Sequence, residues 1–122
     1  LAHGAGGCEV ILTLPWPQRI LSPNARAHYM AVGKAKKALR AEWAWQAKAQ
    51  GAGEIAAKSL TVALEFHKPS RRAMDMDNML ASCKAGLDGL ADVLGVDDSK
   101  WTLVLSVAPT IGGFVRVTVR HE

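Results

Sequence analysis

Long apolar runs are missing from this chain. No stretch of about 18 apolar residues occurs in its 122 residues, so no helix is expected to cross a membrane. Cysteine is scarce: Cys8 and Cys83 are far apart and show no metal-ligand spacing. Two free thiols in a cytoplasmic protein are the expectation, and nothing in the pattern forces a disulfide. His28, His67 and His121 show no metal-ligand spacing with one another and are expected to be structural or surface residues, with His67, which precedes the acidic motif, the one candidate substrate contact. Internal repeats and low-complexity segments are absent. The opening LAHGAGG has neither an initiator methionine nor the basic and apolar regions of a signal peptide. Residues 1–7 are therefore expected to be a flexible lead, and 8–122 a single domain.

What is present suits a small folded protein. The chain is 49% hydrophobic and 21% charged, enough to build a core and too apolar for a disordered segment. The net charge is +4, although four of the 11 acidic residues are concentrated in two pairs, Asp75/Asp77 and Asp97/Asp98. A basic surface with a local acidic spot fits a polyanion-binding protein that also binds a cation, as well as an ordinary basic soluble protein.

The periodicities alternate between strand and helix. CEVILTLPWP reads as a strand stopped by Pro15 and Pro17, and SLTVALEFHK as a second with Leu60, Val62, Leu64 and Phe66 on one face. A helix is expected from about Arg26 to Gln50, with Asn24 as a candidate cap. Its apolar side is Val32, Ala35, Leu39 and Trp43; Lys34, Lys37, Arg40 and Lys48 gather on another side. A second helix, from about Met79 to Leu94, carries the stripe Met79, Cys83, Leu87, Leu90 and Leu94. Gly86 and Gly89 inside it weaken the helix, so a neighbour packed closely on them is expected, within the chain or across a dimer. WTLVLSVAPT and FVRVTVRHE read as a terminal hairpin turning at Gly112-Gly113. The order β-α-β-α-β-β is α+β: a small mixed sheet with two helices.

The chemistry concentrates in RRAMDMDN, residues 71–78. In an extended segment, Asp75 and Asp77 point to the same side, and two adjacent carboxylates repel. A divalent cation removes that conflict: Mg²⁺, with Mn²⁺ as substitute, takes oxygen ligands and keeps several waters. Asp77 or Asn78 could instead cap the following helix. Asp97 and Asp98 lie past that helix, which at about 16 residues would be roughly 24 Å long. They reach the first pair only if the chain doubles back or a partner subunit supplies them. Lys84, two turns after Asp77, could lean back toward the carboxylates or pair with Asp88 at i, i+4. Lys68, Arg71 and Arg72 are placed to hold phosphates. The basic helix side with Lys34, Lys37 and Arg40 could track a phosphate backbone or simply be solvated. Trp45 could stack on an unpaired base or fill an interface.

LPWP, LSPNAR, RRAMDMDN and LGVDDS, in this order and spacing from about Glu9 to Val119, resemble the RusA-like Holliday junction resolvases of bacteria and phages. The resemblance implies a homodimeric, Mg²⁺-dependent endonuclease of recombination and repair that cuts four-way DNA junctions symmetrically. It carries the metal-binding roles to Asp75 and Asp77, and the third essential acid to Asp98 with Asp97 beside it. Asn78, Lys68, Arg71 and Arg72 then fall in the DNA-contacting neighbourhood. The family's best-known form has its active-site lysine four residues after the second aspartate, where this chain has Ala81; Lys84, one turn on, is the expected replacement. A branched-DNA-binding dimer with weak or no nuclease activity is the alternative, and a phosphohydrolase of small substrates a third reading.

Overall fold

The fold is given by a computed structural model, which describes residues 8–121; the expected lead at 1–7 lies outside the described residues. Seven principal elements follow one another: β1 (Cys8–Pro15), α1 (Tyr29–Ala49), β2 (Leu60–His67), α2 (Met76–Ser82), α3 (Lys84–Leu94), β3 (Trp101–Val107) and β4 (Phe114–His121). Short 3₁₀ turns at Arg19–Leu21 and Asp98–Lys100 complete them. The α+β class is as expected, with a mixed four-stranded sheet and three helices rather than two.

Alternation along the strands decides which face of the sheet is covered. Leu12 and Leu14, then Leu60, Val62, Leu64 and Phe66, then Val115, Val117 and Val119 are all buried. They join Leu39, Trp43 and Ala47 of α1 and Leu87, Leu90 and Leu94 of α3 in one core. The intervening residues face outward, and the cross-strand neighbours Glu9 and Arg120 pair at 2.6 Å.

The expected terminal hairpin does not form. The strand order is β1-β4-β2-β3, with β4 antiparallel to both β1 and β2, and β3 parallel to β2. The three valines of β4 are fully buried, which suits an interior strand, whereas β3 lies at the edge. Residues 108–113 pass over the end of β2 instead of turning back beside β3. Ala108 N donates to the Phe66 carbonyl, and the Gly113 and Gly112 amides donate to those of His67 and Lys68. Gly113 has φ +78°, and a Cβ on Gly112 would lie 2.5 Å from the Phe114 ring. The glycine pair therefore serves a crossing loop, although its sequence reads like a tight turn.

The second expected helix is two helices. Its apolar stripe is intact, with Met79, Cys83, Leu87, Leu90 and Leu94 all buried, so periodicity carries across the break unseen. At the break the Cys83 amide bonds the Leu80 carbonyl at 3.0 Å, a tightened i→i+3 bond. The Ser82 hydroxyl donates back to the Asn78 carbonyl at 2.9 Å, a contact that bends helices. The Cys83 thiol is buried, which pushes its pKa up to about 12, and both cysteines are free. The first helix starts three residues later than expected and is capped by His28, whose Nδ1 accepts from Met30 N at 3.2 Å; Asn24 is outside it.

The two glycines of α3 explain themselves against α1 of the same chain. A Cβ on Gly86 would stand 2.4 Å from the Trp43 ring, and one on Gly89 would stand 2.2 Å from the Arg40 carbonyl oxygen. Trp43, with no exposed surface, fills the space and donates its indole N–H to the Pro15 carbonyl at 2.9 Å. Gly89→Ala gains helix propensity but forces the helices apart. We expect a net loss of about 1–3 kcal/mol, the usual cost of overpacking, read as a lower urea midpoint with an unchanged slope.

Candidate functional site

Asp75 is the N-cap residue of α2 by position, yet its side chain makes no capping hydrogen bond. It is exposed, as is Asp77, the second residue of α2; the helix starts three residues earlier than expected, so the two aspartates do not sit together on one side of an extended segment. Asp77 Oδ1 accepts from the Asn78 amide at 3.0 Å, and the Asn78 side-chain amide approaches Asp75 Oδ2 at 3.5 Å. The segment before them, Arg71 to Met74, is exposed, so both arginines are open to solvent. Lys68 turns inward along this loop and donates to the Arg72 carbonyl at 3.1 Å.

The second acidic pair comes back toward the same region because the chain doubles back after α3. Gly95, in the left-handed region at φ +72°, ends that helix, and Asp97 caps the following 3₁₀ turn by accepting from Ser99 N at 3.0 Å. Hydrogen bonds from the Ser99 hydroxyl and amide hold the Asp97 carboxyl below the usual carboxylate range. Asp97 is thus a structural cap. Asp98 instead faces Lys84, fourteen residues earlier in the chain, and the two form an ion pair. Lys84 also pairs with Asp88 at 3.2 Å. Of the two alternatives for Lys84, the i, i+4 bond to Asp88 is present; its other bond goes to Asp98 and not back to Asp75 or Asp77. The Asp98 hydrogen bond, opposed in part by desolvation and aided by Asp88, raises the Lys84 pKa above the ordinary lysine value.

A pocket of about 510 Å³ lies beside this arrangement. Asp77, Leu80, Ala81 and Ser82 of α2, Lys84, Ala85 and Asp88 of α3, Leu21, and Lys36 of α1 line it. Asp77 and Lys84 therefore share one cavity, and Ala81 stands in its wall. Asp75, Asp77 and Asp98 do not close into one set: among the described residues, no three His, Cys, Asp or Glu side chains are gathered to hold a metal ion. The Asp75/Asp77 pair on its own has the hard oxygen donors that Mg²⁺ accepts, and that ion needs only one or two carboxylates when waters and substrate oxygens complete its shell. The donor chemistry of the pair fits the cation, while Asp98 has an ammonium as its present counter-ion.

The other expected contacts divide. Lys34 and Lys37 are exposed on α1. Arg40 forms a two-pronged bond with Asp92 of α3, at 2.8 and 3.0 Å, and ties the helices together. Trp45 is 66% exposed. His67 is buried, with Nε2 2.7 Å from Glu65 Oε1 and its ring stacked on Phe114, so it belongs to the sheet end rather than to the pocket. Lys36 was not singled out from the sequence. It stands four residues after Val32 and three before Leu39, on the margin of the buried stripe. A cation at such a margin points along the seam between packed helices, and that spacing was the available signal.

No family model matches the chain. An uncharacterized protein of Xylella fastidiosa (strain Temecula1 / ATCC 700964) is 41% identical to it over 93 residues, which make up 74% of this chain and 61% of that protein. The chain thus spans about three-fifths of the length of the relative it matches.

The Arg40–Asp92 clamp has a definite pH signature. The Arg40 hydrogen bond lowers the Asp92 pKa. Its contribution to stability is complete above the unfolded carboxylate value, about 3.9, and is lost as pH falls through the lower folded value. Asp92→Asn is therefore expected to lower the urea midpoint at pH 6–7, with the difference from the unmutated protein closing in strong acid.

Proposed function

We propose that this protein is a metal-dependent endonuclease that cleaves branched DNA, with four-way junctions as its substrate. The single observation that carries the reading is the shared pocket: the acid Asp77 and the cation Lys84, paired to Asp98, meet at one cavity beside the exposed Asp75. In this reading Asp75 and Asp77 hold Mg²⁺, or Mn²⁺ in its place. When bound, the ion supplies Lewis-acid polarisation of a phosphoryl oxygen and a more acidic water. The chain's own residues do the rest. Arg71 and Arg72, exposed on the loop before the pair, hold flanking phosphates. Asn78 orients Asp75. Lys84 keeps Asp98 at the site until substrate or cation competes for one of them. The sequence resemblance to RusA-like resolvases supports the same reading.

An alternative is supported by one specific observation. Asp98 is engaged by Lys84 and does not join the other two acids, which favours a branched-DNA-binding protein with weak or no cleavage. Synthetic four-way junctions with Mg²⁺ separate the two. The endonuclease reading expects paired, symmetric cuts, reduced at least on the order of 100-fold by Asp77→Asn, with junction binding retained. Binding without any cut in Mg²⁺ or Mn²⁺ would select the alternative.

A homodimer belongs to this proposal, and β3 is the surface that supports it. Among the described residues the strand runs along one edge of the sheet and pairs only with β2, and Trp101–Val107 carries no charge or proline. Leu103, Val104 and Val107 are 41%, 49% and 41% exposed. The opposite edge is guarded: the Gln50 side chain donates to the Thr13 carbonyl at 2.8 Å and accepts from its amide at 2.7 Å. An unguarded apolar edge is a template for strand addition. A second copy of β3, antiparallel about a two-fold axis, matches its hydrogen bonds to themselves, with Leu103 and Val107 on one face of the sheet and Val104 on the other. Light scattering after size exclusion is expected to give a dimer, and Val104→Lys a monomer; a monomeric unmutated protein at micromolar concentration sinks this part of the proposal.

A further inference from the structure

The pocket between the helices holds two cations with different circumstances. Lys84 is shared between Asp88 and Asp98, so its charge is already neutralised locally. Lys36, which enters from α1, forms no ion pair among the described residues. It nevertheless lines the same cavity as Asp77 and Ala81. The pocket's side walls are apolar, from Leu21, Leu80, Ala81 and Ala85. Its volume, about 510 Å³, lies in the range of small-ligand sites. An ammonium without an ion-pair partner among the described residues, in the lining of such a cavity, can accept one anionic group whose attached carbon skeleton rests on the apolar residues. A nucleotide unit of a DNA strand has that chemistry: a phosphate beside a sugar.

We propose that Lys36 is a phosphate-binding residue of this pocket, holding a backbone phosphate of the DNA strand that passes Asp77. The assignment rests on the DNA-processing reading above and extends it to a residue on a different element from the acidic motif. It also accounts for the small side chain at position 81. The alanine leaves the cavity open, and the cation that serves the pocket enters across the helix seam from α1.

The test is the salt dependence of binding to a synthetic four-way junction in EDTA, where no cleavage interferes. One lost phosphate contact reduces the slope of log K against log salt by about 0.9, equivalent to roughly eightfold weaker binding at 0.1 M salt. Lys36→Gln is expected to give that change, and Lys36→Arg to restore the slope, which a merely structural lysine would not require. Urea midpoints of both variants are measured in parallel, so that a folding defect is recognised as such. A Lys36→Gln variant that folds and retains the full slope overturns the assignment and leaves the endonuclease reading standing. An unmutated protein that binds no junction at any salt overturns the DNA-processing reading itself, and the Lys36 assignment with it.

Discussion

The approach of α3 to α1 through Gly89 is the contact on which the rest of the arrangement depends. The Arg40 carbonyl stands where a side chain would begin, so only glycine permits this separation. Gly86 admits the Trp43 ring one turn earlier, and Arg40 closes the seam outside with its two bonds to Asp92. The seam fixes the start of α3, and therefore Lys84, relative to α1. The pocket lies where α2 departs from α3 at Cys83, and Lys36 and Leu21 complete its lining. A glycine that costs about 1 kcal/mol of helix propensity is offset here by the close packing it allows.

Much of the fold was legible because burial imposes simple periods. The faces of β1, β2 and β4 and the stripes of both helical regions are residues that the structure buries, except Val32, which is half-buried near the start of α1. What was not legible is what a period cannot encode. Strand order is one case: Gly112-Gly113 satisfies a local turn rule, yet the fully buried valines of β4 are satisfied only between two other strands. The break at Cys83 is another, since the stripe passes through it in phase. The first depends on contacts distant in sequence, which override local preference; the second is made by local bonds at Ser82 and Cys83 that leave the stripe in phase.

The candidate site was legible as a motif and only partly as a geometry. Asp77 and Lys84 line one pocket, and the chain doubles back far enough to pair Asp98 with Lys84, but among the described residues it does not gather Asp98 with Asp75 and Asp77. The spacing did not predict that Asp97 would be consumed as a cap, or Arg40 as a clamp. Charged residues near a motif divide into those that position the scaffold and those left for a ligand, and only the three-dimensional partner list separates the two groups. By that criterion Arg71, Arg72 and Lys36 remain available, while Arg40, Lys84 and Asp97 are engaged.

The engagement of Lys84 has a consequence for how the proposed site works. Its pKa is raised by Asp98 and Asp88, so the ammonium keeps its charge throughout the neutral range. Deprotonation therefore does not release Asp98 under ordinary conditions; an exchange of partners does. A phosphate entering the pocket competes for Lys84, and a divalent cation competes for Asp98, and each makes the other's exchange easier because the displaced groups carry opposite charge. Both partners are substantially solvent-exposed, so the pair is held by little net energy and such an exchange is inexpensive. In the proposed reading this links DNA binding to completion of the acidic set: the protein keeps its third carboxylate neutralised until the polyanion arrives.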